Sequence, residues 1–276
     1  MTVGIVGLGL IGGSLARALA ETGEHKVLGL DISAKALYGA KLTNAIDGEL
    51  TEERLDECDI VFVSLYPSQA VEFVKKNADK FKKGAFVIDC CGVKRFVCDA
   101  LLPVAKKSGF VFLGGHPMAG TQTWGFEHSR SSMFKNASMI LTCTENLSIV
   151  ELEKLKKLFT SIGFSKIQFT SPEEHDRIIA LTSQLAHVVS NAYVKSPTAK
   201  KRLGFSAGSY NDMTRVANLN DRMWAELFIE NGDFLADEID LLVDNLKKYS
   251  KAIRENDEQA LQALLAEGKK SKQEDR

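Results

Sequence analysis

The stretch Thr2-Val3-Gly4-Ile5-Val6-Gly7-Leu8-Gly9-Leu10-Ile11-Gly12-Gly13-Ser14 sets the architecture of the N-terminal half. A short apolar run, Thr2 to Val6, is followed by glycines at 7, 9 and 12 and then by helical spacing through Leu15, Ala18 and Leu19. Strand, glycine turn and helix in that order form a dinucleotide-binding signature. Gly7 permits the tight turn, Gly9 lets a pyrophosphate approach the backbone, and Gly12 lets the helix pack closely on the strand. The helix start at Leu10 and Ile11 offers its free N–H groups to the phosphates. A second strand, Lys26 to Leu30, ends in Asp31, 19 residues past Gly12. A carboxylate there accepts hydrogen bonds from ribose hydroxyls and repels a ribose phosphate, so the expected cofactor is NAD rather than NADP. Gly7, Gly9, Leu10, Ile11, Gly12 and Asp31 form the expected cofactor set.

Apolar runs at 60–63, 85–88 and 110–113 read as further buried parallel strands, with crossover helices at 68–78 and 93–107 between them. Residues 139–143 and 166–169 add two more strands around an amphipathic helix over 149–162. A doubly wound sheet holds its ligand at the carboxyl ends of its strands, which places residues 64–67, 90–94 and His116 on the cofactor edge. His116 stands in Gly114-Gly115-His116-Pro117-Met118-Ala119-Gly120, a loop between strands. With the N-terminal signature, this histidine suggests a dehydrogenase in which His116 faces the nicotinamide.

The character changes at Ser171-Pro172-Glu173-Glu174, where Ser171 and Glu174 make a capping box and Pro172 suits the first helical position. From there only helices are expected, dividing the chain into 1–170, a Rossmann-type α/β domain, and 171–276, an all-α domain. The first helix is apolar nearly all round, which implies burial on several sides. Ser183, Gln184, His187 and Asn191 break that rule on one face, and buried polar groups need partners, as in a ligand pocket. Arg215 precedes a mostly uncharged stretch and can present a rigid fork to a carboxylate. A long helix from about Asp221 carries Leu235, Ile239, Leu242, Leu246, Tyr249 and Ile253 in a narrow seam, which predicts pairing with a second copy. Residues 268–276 are charged, lack apolar anchors and read as a disordered tail.

The 35 Lys+Arg against 36 Asp+Glu are unsegregated, so neither a nucleic acid nor a membrane is an expected partner. The expected partner is a small molecule. Five cysteines show no C-x-x-C pair and no metal spacing with histidine, so no metal is expected and the thiols read as structural. The first strand begins at once and leaves no room for a signal peptide, which predicts a cytoplasmic location.

The Gly7 to Ser14 motif, His116-Pro117-Met118-Ala119-Gly120, the His187 helix and Asp212-Met213-Thr214-Arg215 together resemble the prephenate dehydrogenase family over essentially the whole chain. The resemblance implies NAD-dependent oxidative decarboxylation of prephenate to 4-hydroxyphenylpyruvate in tyrosine biosynthesis, arogenate being the related substrate. It implies that His116 bonds the ring hydroxyl as catalytic base. It further implies that Arg215 binds a carboxylate, that His187 is a second active-site histidine, and that Thr121 and Gln184 line the pocket. Many members carry serine before Val-Lys, where this chain has Gly92; either Cys91 or a water takes over that contact, or His116 works alone. Relatives often have an acidic residue after Gly-Thr, whereas this chain has Gln122, leaving no carboxylate there for the ammonium of arogenate.

A beta-hydroxyacid dehydrogenase or pyrroline carboxylate reductase has the same general plan, but the hydroxyacid enzymes use a lysine on the first helical segment, and residues 178–193 offer His187 there. An NAD-binding redox sensor would keep the glycines and Asp31 without needing His116 and Arg215.

Overall fold

The apolar run at the N-terminus forms β1 (Thr2–Val6), buried from Val3 onward, and the glycine turn delivers the chain into α1 (Leu10–Thr22). The turn depends on two missing side chains. Gly7 has φ +86°, and a Cβ on Gly12 would lie 1.8 Å from the Gly7 carbonyl oxygen. The computed structural model describes residues 1–202, 204–205 and 208–274. β2 (Lys26–Leu30), α2 (Ala34–Leu42), β3 (Gly48–Glu49), β4 (Ile60–Val63), α3 (Pro67–Lys76), β5 (Phe86–Asp89), α4 (Arg95–Ser108) and β6 (Val111–Pro117) follow. β7 (Ser138–Thr142), α5 (Ile149–Ser161) and β8 (Lys166–Phe169) complete an eight-stranded sheet of order β3-β2-β1-β4-β5-β6-β7-β8. The strands from β3 to β6 are parallel; β7 runs antiparallel to β6, and β8 is parallel to β7.

Alternation along each strand fills both faces of the sheet. Ile60, Phe62, Phe86 and Ile88 join Leu15 and Phe159 on one side, while Val61, Val63 and Val87 join Val97 and Leu101 on the other. Each such buried side chain stabilises the fold by about 1.5–3 kcal/mol. This is the doubly wound α/β sheet expected from the glycine motif.

Among the described residues helices alone follow: α6 (Pro172–Ile179), a π-helical stretch over Ala180–Leu185, α7 (Ala186–Tyr193), α8 (Gly208–Thr214), α9 (Asp221–Glu230), α10 (Gly232–Arg254) and α11 (Glu258–Glu274). Three features differ from the sequence expectation. The long helix is broken at Asn231, which is fully buried and donates to the Asp176 carbonyl and to Gln184 Oε1. The expected tail is helical as far as Glu274, its helix joined to α10 by Tyr249 Oη donating to the Leu264 carbonyl at 3.1 Å; residues 275–276 lie outside the described residues. The first helix is not covered on all sides within one chain, since Ile178 and Leu181 are exposed, as are Leu246 and Ile253 of the α10 seam. No helix is long and apolar enough to cross a membrane among the described residues.

Candidate active site

At the carboxyl edge of the sheet, Gly9 caps α1 without a side chain, and the first helical hydrogen bond runs from Gly13 N–H to the Gly9 carbonyl at 2.9 Å. The N–H groups of Leu10, Ile11 and Gly12 lie ahead of that bond, where a helix offers donors to an anion. Apart from Gly9 and its chain neighbours, no atom among the described residues lies within 4 Å of where a Gly9 Cβ would stand, so the backbone is open to a ligand. Asp31 accepts from the Leu8 N–H at 2.6 Å and the Ser33 N–H at 2.7 Å, which fixes its carboxylate beside the loop. Ile32, fully exposed next to it, offers an apolar surface at the same edge. Donor N–H groups, open backbone, an acceptor carboxylate and an apolar platform fit a dinucleotide.

His116 is not in a loop: β6 continues through it, pairing His116 with Ile140 and Gly115 with Leu141 on β7. Two buried groups hold that strand end. Asp89 accepts from the N–H groups of Gly115 at 3.2 Å and Cys91 at 2.9 Å, and Lys94 Nζ bonds both Asp89 and the Gly115 carbonyl. His116 Nδ1 lies 2.9 Å from His175 Nε2, and His175 Nδ1 lies 2.7 Å from Asp176 Oδ1. Asp176 also accepts the backbone N–H groups of Lys94 at 2.7 Å and Arg95 at 2.8 Å, capping α4 from the helical domain. Burial lowers the His116 pKa well below its ordinary 6.5, with the charge of Lys94 adding to the effect. Sequence reading placed Lys94 on this edge without a partner and missed His175, Asp176 and Asp89; the adjacent His-Asp pair early in a capped helix was the available signal.

A second cluster gathers around His187. Its ring stacks on Trp224 of α9 with centroids 3.8 Å apart, and its Nδ1 donates to the Ser183 carbonyl at 2.9 Å. Burial lowers its pKa; the Ser183 carbonyl opposes this and the nearby Arg215 charge reinforces it. Arg215 is exposed, and its carbonyl accepts from the Gln122 side chain, tying the segment after β6 to the helical domain. Thr121 is exposed on that segment, its hydroxyl 2.8 Å from that of Thr123. Trp224 carried no sequence signal beyond its type.

Gln184 departs from the expected pocket-lining role. It is 1% exposed, its amide nitrogen donates to the Leu227 carbonyl at 3.0 Å, and its oxygen accepts from Asn231 at 2.8 Å. The π-helical turn changes the angular step between Gln184 and His187, so α-helical spacing misplaced them on one face. Cys91, one candidate to replace the missing serine, is also committed elsewhere: it is buried, with its sulfur 3.6 Å from the Leu65 carbonyl.

The helical domain also brings Glu230 against the start of α3. Its Oε2 is buried without a partner among the described residues, and burial raises its pKa from 4.5 to about 8, with Glu226 and Asp176 repulsion adding and a Ser68 hydrogen bond opposing. Such a group holds a proton in the folded state that the unfolded chain releases near 4.5. Its contribution to stability is complete below that pH and is lost as pH rises toward about 8. The Glu230→Gln variant is expected to lose less melting temperature than wild type between these limits, measured by thermal unfolding across the pH range. Parallel curves would contradict the buried, protonated carboxyl.

Two family models match successive parts of the chain. Residues 15–167 match the prephenate dehydrogenase nucleotide-binding domain, and residues 171–267 match the prephenate dehydrogenase dimerization domain. A prephenate dehydrogenase of Bacillus subtilis is 28% identical, covering 94% of this chain and 72% of that protein. A cyclohexadienyl dehydrogenase of Zymomonas mobilis is 30% identical, covering 98% and 94%. The solved structure of the Aquifex aeolicus prephenate dehydrogenase in complex with hydroxyphenyl propionate and NAD+ superposes with a TM-score of 0.84 at 28% identity, covering 100% of this chain and 98% of the other. With successive domain matches spanning most of its length, the chain belongs to the prephenate dehydrogenase family.

Proposed function

We propose that the protein oxidatively decarboxylates prephenate to 4-hydroxyphenylpyruvate with NAD, as a homodimer. The observation that carries the reading is His116 at the carboxyl end of β6, neutral at physiological pH and backed through its Nδ1 by His175. Gly7, Gly9, Leu10, Ile11, Gly12 and Asp31 would hold the dinucleotide, which when bound supplies the hydride acceptor. His116 Nε2 takes the proton of the ring hydroxyl as the carbonyl forms. Loss of the ring carboxylate as carbon dioxide then makes the ring aromatic, which drives the reaction forward. Arg215 supplies the cation for a substrate carboxylate, while His187 and Trp224 form a flat wall beside it.

Gln122 supports prephenate over arogenate, because its neutral amide is bonded to the Arg215 carbonyl where an ammonium group would need a carboxylate. The exposed apolar residues Ile178, Leu181, Leu246 and Ile253 support the homodimer, since each stands on the part of the chain that matches a dimerization domain.

The test is NADH formation by the purified protein with NAD and either prephenate or arogenate. A higher specificity constant for prephenate is expected. A higher one for arogenate overturns the Gln122 argument, and no turnover with either overturns the reading. Arg215→Ala is expected to raise the KM for prephenate by about 10- to 100-fold, the loss of a charge-assisted hydrogen bond, with NAD affinity unchanged. An unaltered KM removes Arg215 from the substrate site.

A further inference from the structure

We propose that His175 and Asp176 are positioning residues that lock His116 in its Nδ1–H form, so that Nε2 faces the substrate as the basic atom. This inference rests on the reading of His116 as the base, and it follows from a chain of donors and acceptors with one consistent solution. The Asp176 carboxylate only accepts hydrogen bonds, and its side chain and that of His175 are both fully buried. His175 Nδ1, 2.7 Å from Asp176 Oδ1, therefore carries a proton. Burial lowers the His175 pKa against the opposing Asp176 hydrogen bond, so the ring is neutral and its Nε2 has only a lone pair to offer. His116 Nδ1, 2.9 Å from that lone pair, must then be the donor. A neutral His116 with its proton on Nδ1 has its free lone pair on Nε2.

The same chain stabilises the product of proton abstraction. When His116 Nε2 takes the hydroxyl proton, the imidazolium keeps its Nδ1–H bond to His175, and the Asp176 carboxylate lies behind that ring. The arrangement also links the base to domain docking. Asp176 belongs to α6, yet it accepts the Lys94 and Arg95 N–H groups of the sheet domain, and Arg95 continues to Asn231 at 3.0 Å and to Asp233. His116 thus has its orienting partner only when the helical domain is seated.

Two measurements test the proposal. In the wild-type protein, ring-nitrogen NMR of 15N-histidine-labelled enzyme is expected to show His116 with a protonated Nδ1 and an unprotonated Nε2 near neutral pH. The opposite pattern overturns the proposal, and this readout does not depend on prephenate being the substrate. In kinetics, His175→Leu removes the acceptor and is expected to lower kcat by about 100-fold or more, within the roughly 10,000-fold range that a base in the wrong tautomer costs. His175→Gln leaves a carbonyl oxygen to accept from His116 and is expected to stay within about tenfold of wild-type kcat. KM for prephenate and NAD affinity are expected to hold in both. Equal losses in the Leu and Gln variants, or no loss in Leu, overturn the positioning role. If His116→Ala itself keeps full activity while the NMR pattern is as expected, the reading of His116 as the base fails and the tautomer assignment stands.

Discussion

Replacing His116 with alanine is expected to lower kcat for prephenate oxidation by about two to four orders of magnitude, with cofactor affinity unchanged. Removal of a group that acts on the proton in flight lowers kcat and kcat/KM together, whereas loss of a binding contact would raise KM alone. The proposed dinucleotide contacts are the glycine turn, the start of α1 and Asp31, so NAD titration by fluorescence is expected to give the same affinity in the variant. The wild-type pH profile carries a second sign. A base must be unprotonated, and burial, with the Lys94 charge adding to it, lowers the His116 pKa well below 6.5. The neutral form therefore persists as pH falls, and kcat/KM is expected to stay level through pH 6.5 and to drop only at more acidic values. An acid limb above 6.5 would show that another group controls the proton. A variant within tenfold of wild-type kcat would show that His116 is not the base.

Features written in contiguous residues were legible in the sequence. β1, the glycine turn, α1 and Asp31 are local, and the runs at 60–63 and 110–113 needed only a count of apolar residues. β3 was not legible because a two-residue strand carries no periodicity. Gly114 and Gly115 have low strand propensity, which disguised the extension of β6 through His116. His175 and Asp176 sit in Pro172-Glu173-Glu174-His175-Asp176-Arg177, which reads as the solvated first turns of a capped helix. Their burial arises only when α4 is brought against them, 81 residues away in sequence for Arg95 and Asp176. The Asn231-Gly232 break was visible as a turn dipeptide, but the α10 seam dominated that segment. The C-terminal helix was hidden for a similar reason: its charges suggest disorder, and its contact with Tyr249 is tertiary.

The same tertiary logic makes Lys94 the position where a single change is expected to cost the most stability. Lys94 and Asp89 are both 0% exposed and bonded to each other. Burial alone would lower the Lys94 pKa, but the Asp89 carboxylate and the neighbouring Cys91 and Cys98 together raise it, so the ammonium stays charged. Lys94→Met leaves the Asp89 carboxylate in the interior with, among the described residues, the Gly115 and Cys91 N–H groups as its donors. Stranding one partner of a buried pair costs about 3–5 kcal/mol, so denaturant unfolding is expected to show a loss of that size. Asp89→Leu combined with Lys94→Met removes the stranded charge, though it leaves those two N–H groups without their acceptor. The double variant is therefore expected to be less destabilised than the sum of the singles by about 2–3 kcal/mol. Additive losses, or a Lys94→Met loss below about 1 kcal/mol, would mean that the pair is not energetically coupled. Activity is expected to fall with stability in Lys94→Met, because Lys94 also donates to the Gly115 carbonyl at 2.6 Å, one residue before His116. Loss of that bond frees the strand end that carries the base, and a displacement of about 1 Å at a reacting group is enough to cost roughly 100-fold in rate.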